Sequence, residues 1–213
     1  MLVPISLIFL WGTDITTTSY FLLGISFKLV KELVLIALGL SKRSIKKLCE
    51  DNKIKTYKTR SVNENKTYKI LRKIKPGIVL TQVPEKIKPQ ILNTAKIGFI
   101  NKHASLLPKY RGLNPVFWAL LKGEKETGFT FHFMNEDLDR GAIIFQRKIK
   151  ISKTDSVFSI YKKIFTEAGD KLLNVITSTR SSKTHQALGR GSYFKNPQKK
   201  DIEKFRQKNL KFT

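Results

Sequence analysis

Ile97-Gly98-Phe99-Ile100-Asn101-Lys102-His103-Ala104-Ser105-Leu106-Leu107-Pro108-Lys109-Tyr110-Arg111-Gly112 is the stretch on which the fold and the chemistry both turn. Its first four residues are apolar and read as a short buried strand. The strand is expected to end on two polar groups with complementary capabilities. Asn101 offers an amide donor and acceptor, and His103 a ring that donates, accepts or carries a proton. A loop with two leucines, a proline and an Arg-Gly turn follows. In open α/β sheets ligands bind outside the carboxyl ends of the strands. A polar pair at a strand end, leading into a long structured loop, is therefore a site candidate.

Working outward, the segment before this stretch alternates in type. Ser41 through Asn52 reads as a helix with Ser41 or Ser44 as N-cap, and Ile54 to Thr59 as a strand. Lys66 to Lys75 reads as a helix that ends before Pro76-Gly77, and Ile78-Val79-Leu80-Thr81 as a buried strand rich in branched residues. Helix-strand alternation predicts a parallel sheet with crossover helices. Pro84 to Leu92 reads as a loop and short helix.

After Gly112, Asn114 is placed to cap a helix over Pro115 to Lys122 that stops at Gly123. Gly128 to Met134 alternates: Phe129, Phe131 and Phe133 face one way, and Thr130, His132 and Met134 the other. An acidic loop, Asn135 to Gly141, leads to a strand over Ala142 to Ile151. A long amphipathic helix from about Asp155 to Ser178 is predicted by Val157, Ile160, Tyr161, Ile164, Phe165, Ala168, Leu172 and Val175 at helical spacing.

The ends are less patterned. Residues 1–12 are almost wholly apolar. They lack the basic residues that precede a signal sequence and are too short to cross a bilayer, so a strand over Leu2 to Leu10 is expected, broken at Gly12-Thr13-Asp14. Residues 19–40 are the most hydrophobic part of the chain. Lys28, Lys31 and Glu32 give them a polar stripe, which predicts a packed helix; a membrane-surface helix is the alternative. Residues 181–191 read as a flexible connection, and Asp201 to Asn209 as a short basic helix. The expected organisation is an apolar N-terminal segment (1–40), a central α/β domain (41–180) and a basic tail (181–213).

The net charge of +25 over 213 residues admits two readings. One is a polyanionic partner such as RNA, or a phosphorylated substrate. The other is compositional bias, which the scatter of lysines through every segment favours over arginine-fork recognition. The single cysteine, Cys49, excludes an internal disulfide and fits a reducing, cytoplasmic setting. With His103, His132 and His185 the only histidines, no metal site is expected.

The chemical inventory of the centre is Asn101, His103 and the carboxylates Asp137 and Asp139. An amide and an imidazole can stabilise charge developing on a carbonyl oxygen, and a carboxylate can orient the imidazole and relay a proton. Ser105 sits on no nucleophile elbow. Direct transfer between two bound substrates is the chemistry that remains, with proximity as its main device. His132 reads as a structural strand residue, Arg111 as a pin for the loop, and Trp118 as packing for its helix.

Residues 97–146 resemble the folate-dependent formyltransferases, which include the glycinamide ribonucleotide, methionyl-tRNA and amino-sugar enzymes. The resemblance rests on Asn-x-His, Ser-Leu-Leu-Pro-x-Tyr-Arg-Gly, Trp-Ala-Leu-x-x-Gly-Glu-x-x-Thr-Gly and Leu-Asp-x-Gly, in that order and spacing. It extends more weakly from Ser41 through the long helix, and the segment from Gly191 to Phe205 looks like a tail of some amino-sugar-type relatives. It implies a doubly wound, Rossmann-like, mostly parallel α/β domain that moves a formyl group from 10-formyltetrahydrofolate to a primary amine. Asn101, His103 and Asp139 fall on the family's catalytic positions. The pterin would lie between Val83 to Pro89 and Asn135 to Asp139, with Val83, Ile87, Pro89, Asn135, Asp137 and Leu138 as its contacts. Ser105, Leu106, Leu107, Pro108, Arg111 and Gly112 would form the substrate loop.

The N-terminus departs from the resemblance. Relatives begin with a strand, a glycine-bearing loop and a helix that help build the acceptor site, and residues 1–40 carry no recognisable copy. The first strand is expected to be missing; the alternative is that Gly12-Thr13 is a diverged version of the first loop. The acceptor is expected to be a nucleotide-linked amino sugar or methionyl-tRNA. The competing reading is a non-catalytic descendant acting as a basic RNA- or membrane-surface-binding module.

Overall fold

The computed structural model describes residues 7–13, 18–23, 45–83, 85–179, 189 and 191–213. Its strands are β1 (Leu7–Thr13), β2 (Thr18–Leu23), β3 (Thr56–Thr59), β4 (Ile78–Gln82), β5 (Gly98–His103), β6 (Arg111–Gly112), β7 (Glu126–Phe133), β8 (Ile143–Lys150) and β9 (Tyr193–Phe194). Its helices are α1 (Ile45–Asp51), α2 (Asn65–Ile74), α3 (Pro89–Leu92), α4 (Pro115–Leu121), α5 (Val157–Ser178) and α6 (Lys199–Gln207).

Seven strands form one sheet in the order β3-β2-β1-β4-β5-β7-β8. Among the described residues of this sheet, only β1–β4 and β4–β5 pair in parallel; β1–β2, β2–β3, β5–β7 and β7–β8 are antiparallel. The α/β class holds, but the sheet is mixed rather than mostly parallel. One cause is β2. The helix expected from residue 19 is a strand through Leu23, paired with β1 from Ile8↔Leu23 to Thr13↔Thr18. Thr18-Ser19-Tyr20-Phe21 is rich in residues that favour a pleated surface, and pairing outweighed the helical stripe further along. Gly12 and Thr13, expected to break β1, are its last residues. The rest of the predicted 19–40 helix, and the predicted caps Ser41 and Ser44, lie outside the described residues.

The second cause is β7 and β8, which meander antiparallel beyond β5. β5 itself runs longer than its apolar run. Asn101 and His103 lie within it because β7 offers register partners to its end, Asn101↔His132 and His103↔Thr130.

The sheet buries both faces. Ile78, Leu80, Ile100, Phe129 and Phe131 pack under α4 and α5, with Trp118, Ile160, Ile164 and Leu172 in the same core. Val79 and Phe99 pack on the other face with Leu71 of α2 and Ile91 of α3. The alternation of these residues along β4 and β5 is the period-two pattern of strands buried on both sides. The helix predicted from the spacing of Ile160, Ile164, Ala168, Leu172 and Val175 is α5, and all five are buried. Its N-terminus is closed by reciprocal bonds: Ser159 N–H donates to Ser156 Oγ at 3.0 Å and Ser156 N–H to Ser159 Oγ at 2.9 Å. Asn114 does not cap α4. It stands in a left-handed conformation with no side-chain cap bond, and its amide donates to Asn196 instead.

That contact belongs to a strap. Residues 191–213 return across the loop that follows β5. β9 pairs with β6, Arg111 N–H donates to Ser192 O at 2.9 Å, and Tyr110 N–H donates to Ser192 Oγ at 2.8 Å. Phe194 stacks between Tyr110 and Trp118, at 5.3 and 4.9 Å. The predicted basic helix is α6, two residues earlier than expected, and Phe205 anchors it in the core. Among the described residues no helix is long and apolar enough to cross a membrane.

Candidate active site

Asn101 and His103 are the last alternate residues of β5, so their side chains leave the same face of the sheet. His132, the register partner of Asn101 on β7, shares that face. The acidic loop after β7 completes the group. Asp139 has φ +52, the left-handed region that a β-carbon resists. Two glycines let the backbone close around it. A β-carbon on Gly141 would overlap the Phe133 carbonyl, and Gly112, at φ +94, lies against the Phe194 carbonyl. The Leu-Asp-x-Gly spacing is thus a backbone requirement: the loop must touch the end of β7 to turn Asp139 inward. The buried Asp139 carboxylate accepts the Gly112 N–H through Oδ2 at 2.8 Å.

Asp139 sits between two imidazoles. Its Oδ2 is 3.6 Å from His103 Nδ1, and its Oδ1 is 3.7 Å from His132 Nε2. His103 Nε2–H donates to the Tyr110 carbonyl at 2.8 Å, which leaves Nδ1 toward the carboxylate. The long separation leaves Nδ1 free to tighten onto a reacting oxygen or a bridging water, as catalytic hydrogen bonds do when substrate arrives. Both His103 and Asp139 are less than a tenth exposed, so charge placed there is poorly screened.

His132, read from the sequence as a structural strand residue, lies within the same buried cluster. Its Nδ1–H donates to the Phe133 carbonyl at 2.8 Å. Burial pushes its pKa down from 6.5 to about 4, against the pull of the Asp139 carboxylate. Near neutral pH the ring is therefore uncharged and presents a lone pair on Nε2. Asn101 Nδ2 lies 3.4 Å from that lone pair. The contact turns the Asn101 amide so that its nitrogen faces the ring and leaves a second N–H for a ligand. The sequence carried no signal for this contact, because it depends on β7 running beside β5 with Asn101 opposite His132.

A group buried neutral in this way stabilises the fold fully above its unfolded pKa, near 6.5, and that contribution is lost as pH falls toward about 4. Urea unfolding at pH 7 and pH 5 should show the wild type losing about 2 kcal/mol more than His132→Gln. Equal losses would mean that His132 titrates as a surface histidine.

Asn101, His103 and Asp139 open into a cavity of about 400 Å³. Its lining also includes Gln82, Val83, Glu85, Met134 and Leu138, from β4 and the segments after β4 and β7, and Leu113, Asn114, Pro115, Tyr161 and Phe165, from the entry to α4 and from α5. Of the residues expected around a pterin, Val83 and Leu138 line it. Ile87 does not: it is 1% exposed, in the core between β4 and α3. Pro89 and Asn135 line a separate hollow beside Ile97 and Phe99, and Asp137 is exposed.

Of the expected substrate loop only Gly112 reaches the cavity. The remainder is scaffold. Ser105 Oγ donates to Lys109 O at 2.7 Å, Leu107 N–H donates to Thr130 Oγ1 at 3.1 Å, and Gln146 Nε2 donates to Leu107 O at 2.8 Å. The Leu107–Pro108 bond is cis. Leu106 packs against Gly128, and Arg111 is buried, its backbone bound by the strap. Among the described residues no cluster of His, Cys, Asp or Glu could hold a metal ion.

A parallel core of β1, β4 and β5, a polar cluster at the carboxyl end of β5 and a cavity that opens on it define an α/β domain with its candidate site at the strand ends. The family model for formyl transferases matches residues 37–176, and the chain belongs to that family. GDP-perosamine N-formyltransferase of Brucella melitensis is 35% identical over 140 residues, 65% of this chain and 54% of that protein. Methionyl-tRNA formyltransferase of Kosmotoga olearia is 39% identical over 130 residues, 61% of this chain and 42% of that one. The chain thus spans about half the length of these curated relatives. Among solved structures, HypX from Aquifex aeolicus in complex with tetrahydrofolic acid shares the fold, with a TM-score of 0.57 at 19% identity over 63% of this chain and 24% of that chain.

Proposed function

We propose that this protein transfers a formyl group from 10-formyltetrahydrofolate to a primary amine, and that Asn101, His103 and Asp139 carry the reaction. The observation behind this reading is the buried cluster in which Asp139 faces His103 Nδ1 while neutral His132 sets the Asn101 amide. A basic binding module would need neither the buried carboxylate nor its strained loop.

The amine nitrogen attacks the formyl carbon, and the carbonyl electrons move onto oxygen. Asn101 Nδ2–H and the His103 imidazolium hold that oxyanion. Asp139, directly or through a water, takes the proton from the attacking nitrogen. The oxyanion collapses, the bond to N10 of the folate breaks, and N10 takes up a proton. The product is a formamide and tetrahydrofolate. The folate lies against Val83 and Leu138 in the cavity, a placement supported by a similar fold that holds tetrahydrofolic acid. Residues 41–180 act as the catalytic domain, and the strap from the 181–213 tail secures the loop behind His103.

The acceptor is a nucleotide-linked amino sugar or methionyl-tRNA, as the two relatives named above suggest. Incubating the protein with 10-formyltetrahydrofolate and each acceptor, with mass spectrometry of the products, separates them. Formylation of the sugar nucleotide alone or of the tRNA alone assigns the acceptor. Formylation of neither overturns the acceptor assignment.

A further inference from the structure

Lys102 stands between Asn101 and His103 and points to the opposite face of β5. Its register partner Phe131 belongs to the core under α5, and the Lys102 Nζ lies 3.2 Å from the ring centroid of Phe165 on α5. The Nζ is shielded from solvent and has no hydrogen-bond partner among the described residues. Lys102 and Phe165 both line the cavity.

The fold does not account for this amine. An ammonium has three donors, and removing it from water without hydrogen bonds is costly. The face of one phenyl ring returns only part of that cost. Burial alone holds the amine well below the usual lysine range. A methionine would fill the same space with no polar atom to satisfy. An orphaned donor in the wall of a substrate cavity is explained by a ligand that supplies the missing acceptor.

We propose that Lys102 anchors a phosphate oxygen of the acceptor substrate. This rests on the formyl-transfer reading above. The lining of the cavity then divides the work. Val83 and Leu138 face the folate, and Lys102, with Leu113, Asn114, Tyr161 and Phe165, faces the phosphate-bearing acceptor. An incoming oxyanion completes the hydrogen bonding of Nζ and restores its charge in a poorly screened site. The same phosphate chemistry comes from the diphosphate of a sugar nucleotide or from the phosphodiesters of a tRNA end.

The test uses the full chain in about 0.15 M salt, where surface lysines are screened. Guanosine diphosphate and unacylated tRNA are the two probes, and 5-formyltetrahydrofolate is the reporter for folate binding. The variants are Lys102→Met and, as a control, Lys199→Met on α6. Lys102→Met is expected to melt no lower than wild type, to bind 5-formyltetrahydrofolate unchanged, and to bind one of the two probes about tenfold or more weakly. The probe affected identifies the source of the phosphate, and Lys199→Met leaves that affinity unchanged. If Lys102→Met fails to fold, Lys102→Gln, which keeps a donor without the charge, is compared in the same way. Equal affinity of wild type and variant for both probes, or no binding of either probe by wild type, overturns the proposal while folate binding leaves the formyl-transfer reading intact. Failure of the wild type to bind 5-formyltetrahydrofolate overturns that reading and this proposal together.

Discussion

His103→Ala leaves a folded protein that transfers the formyl group at least about 10³-fold more slowly than wild type. His103 is less than a tenth exposed and uses both ring nitrogens, Nε2 toward the Tyr110 carbonyl and Nδ1 toward Asp139. In the proposed mechanism its loss removes a donor to the developing oxyanion and the partner that Asp139 faces. The effect falls on kcat, because the interaction strengthens only as charge develops. The fold survives because the Tyr110 carbonyl retains the Ser105 hydroxyl as a donor at 3.4 Å, and the strap still binds the loop. Single-turnover transfer and a melting curve on the same sample check both halves. A rate within a few-fold of wild type would remove His103 from the mechanism.

Phe205→Ala lowers stability by about 3–5 kcal/mol and the melting temperature by roughly 10 °C. Phe205 is fully buried, stacked on Phe117 at 4.6 Å and packed against Phe212 at 4.7 Å. It is the main apolar anchor of the strap, and the strap secures the loop whose Tyr110 carbonyl holds His103. Transfer activity should therefore fall at temperatures where the central sheet is still folded. A calorimetric scan with parallel activity measurements tests this. A melting shift below about 2 °C would show that the tail is not integrated into the core.

The middle of the chain was legible because its signals agree. Branched apolar runs bounded by Pro76-Gly77 and by the Arg111-Gly112 turn gave the strands, and the spacing from Val157 to Val175 gave α5. β2 was not legible, since its six residues sit inside a longer apolar segment whose charged positions suggest a helix, and only pairing with β1 decides the matter. The same reason explains the overestimate of parallel pairing: sequence shows which segments are strands, not which neighbour each selects.

At the site, Asn101 and His103 were readable from position and chemistry. Asp139 was distinguishable from Asp137 only through the Leu-Asp-x-Gly pattern, whose physical basis is the left-handed turn at Asp139 and the contact of Gly141 with β7. His132 and Lys102 were passed over because their roles depend on what faces them across a strand or under a helix. Ile87 was assigned to the ligand because the resemblance places its segment beside the pterin, yet apolar burial took it into the core.

The most direct measurement is a thermal-shift titration of the purified chain with 5-formyltetrahydrofolate, which presents the folate without donating its formyl group. A ligand that binds only the native state adds about 2.7 kcal/mol at a hundredfold excess over its dissociation constant. The account predicts a saturable rise of roughly 5–10 °C in the melting temperature. A folded protein whose melting temperature stays unchanged up to saturating folate would contradict it.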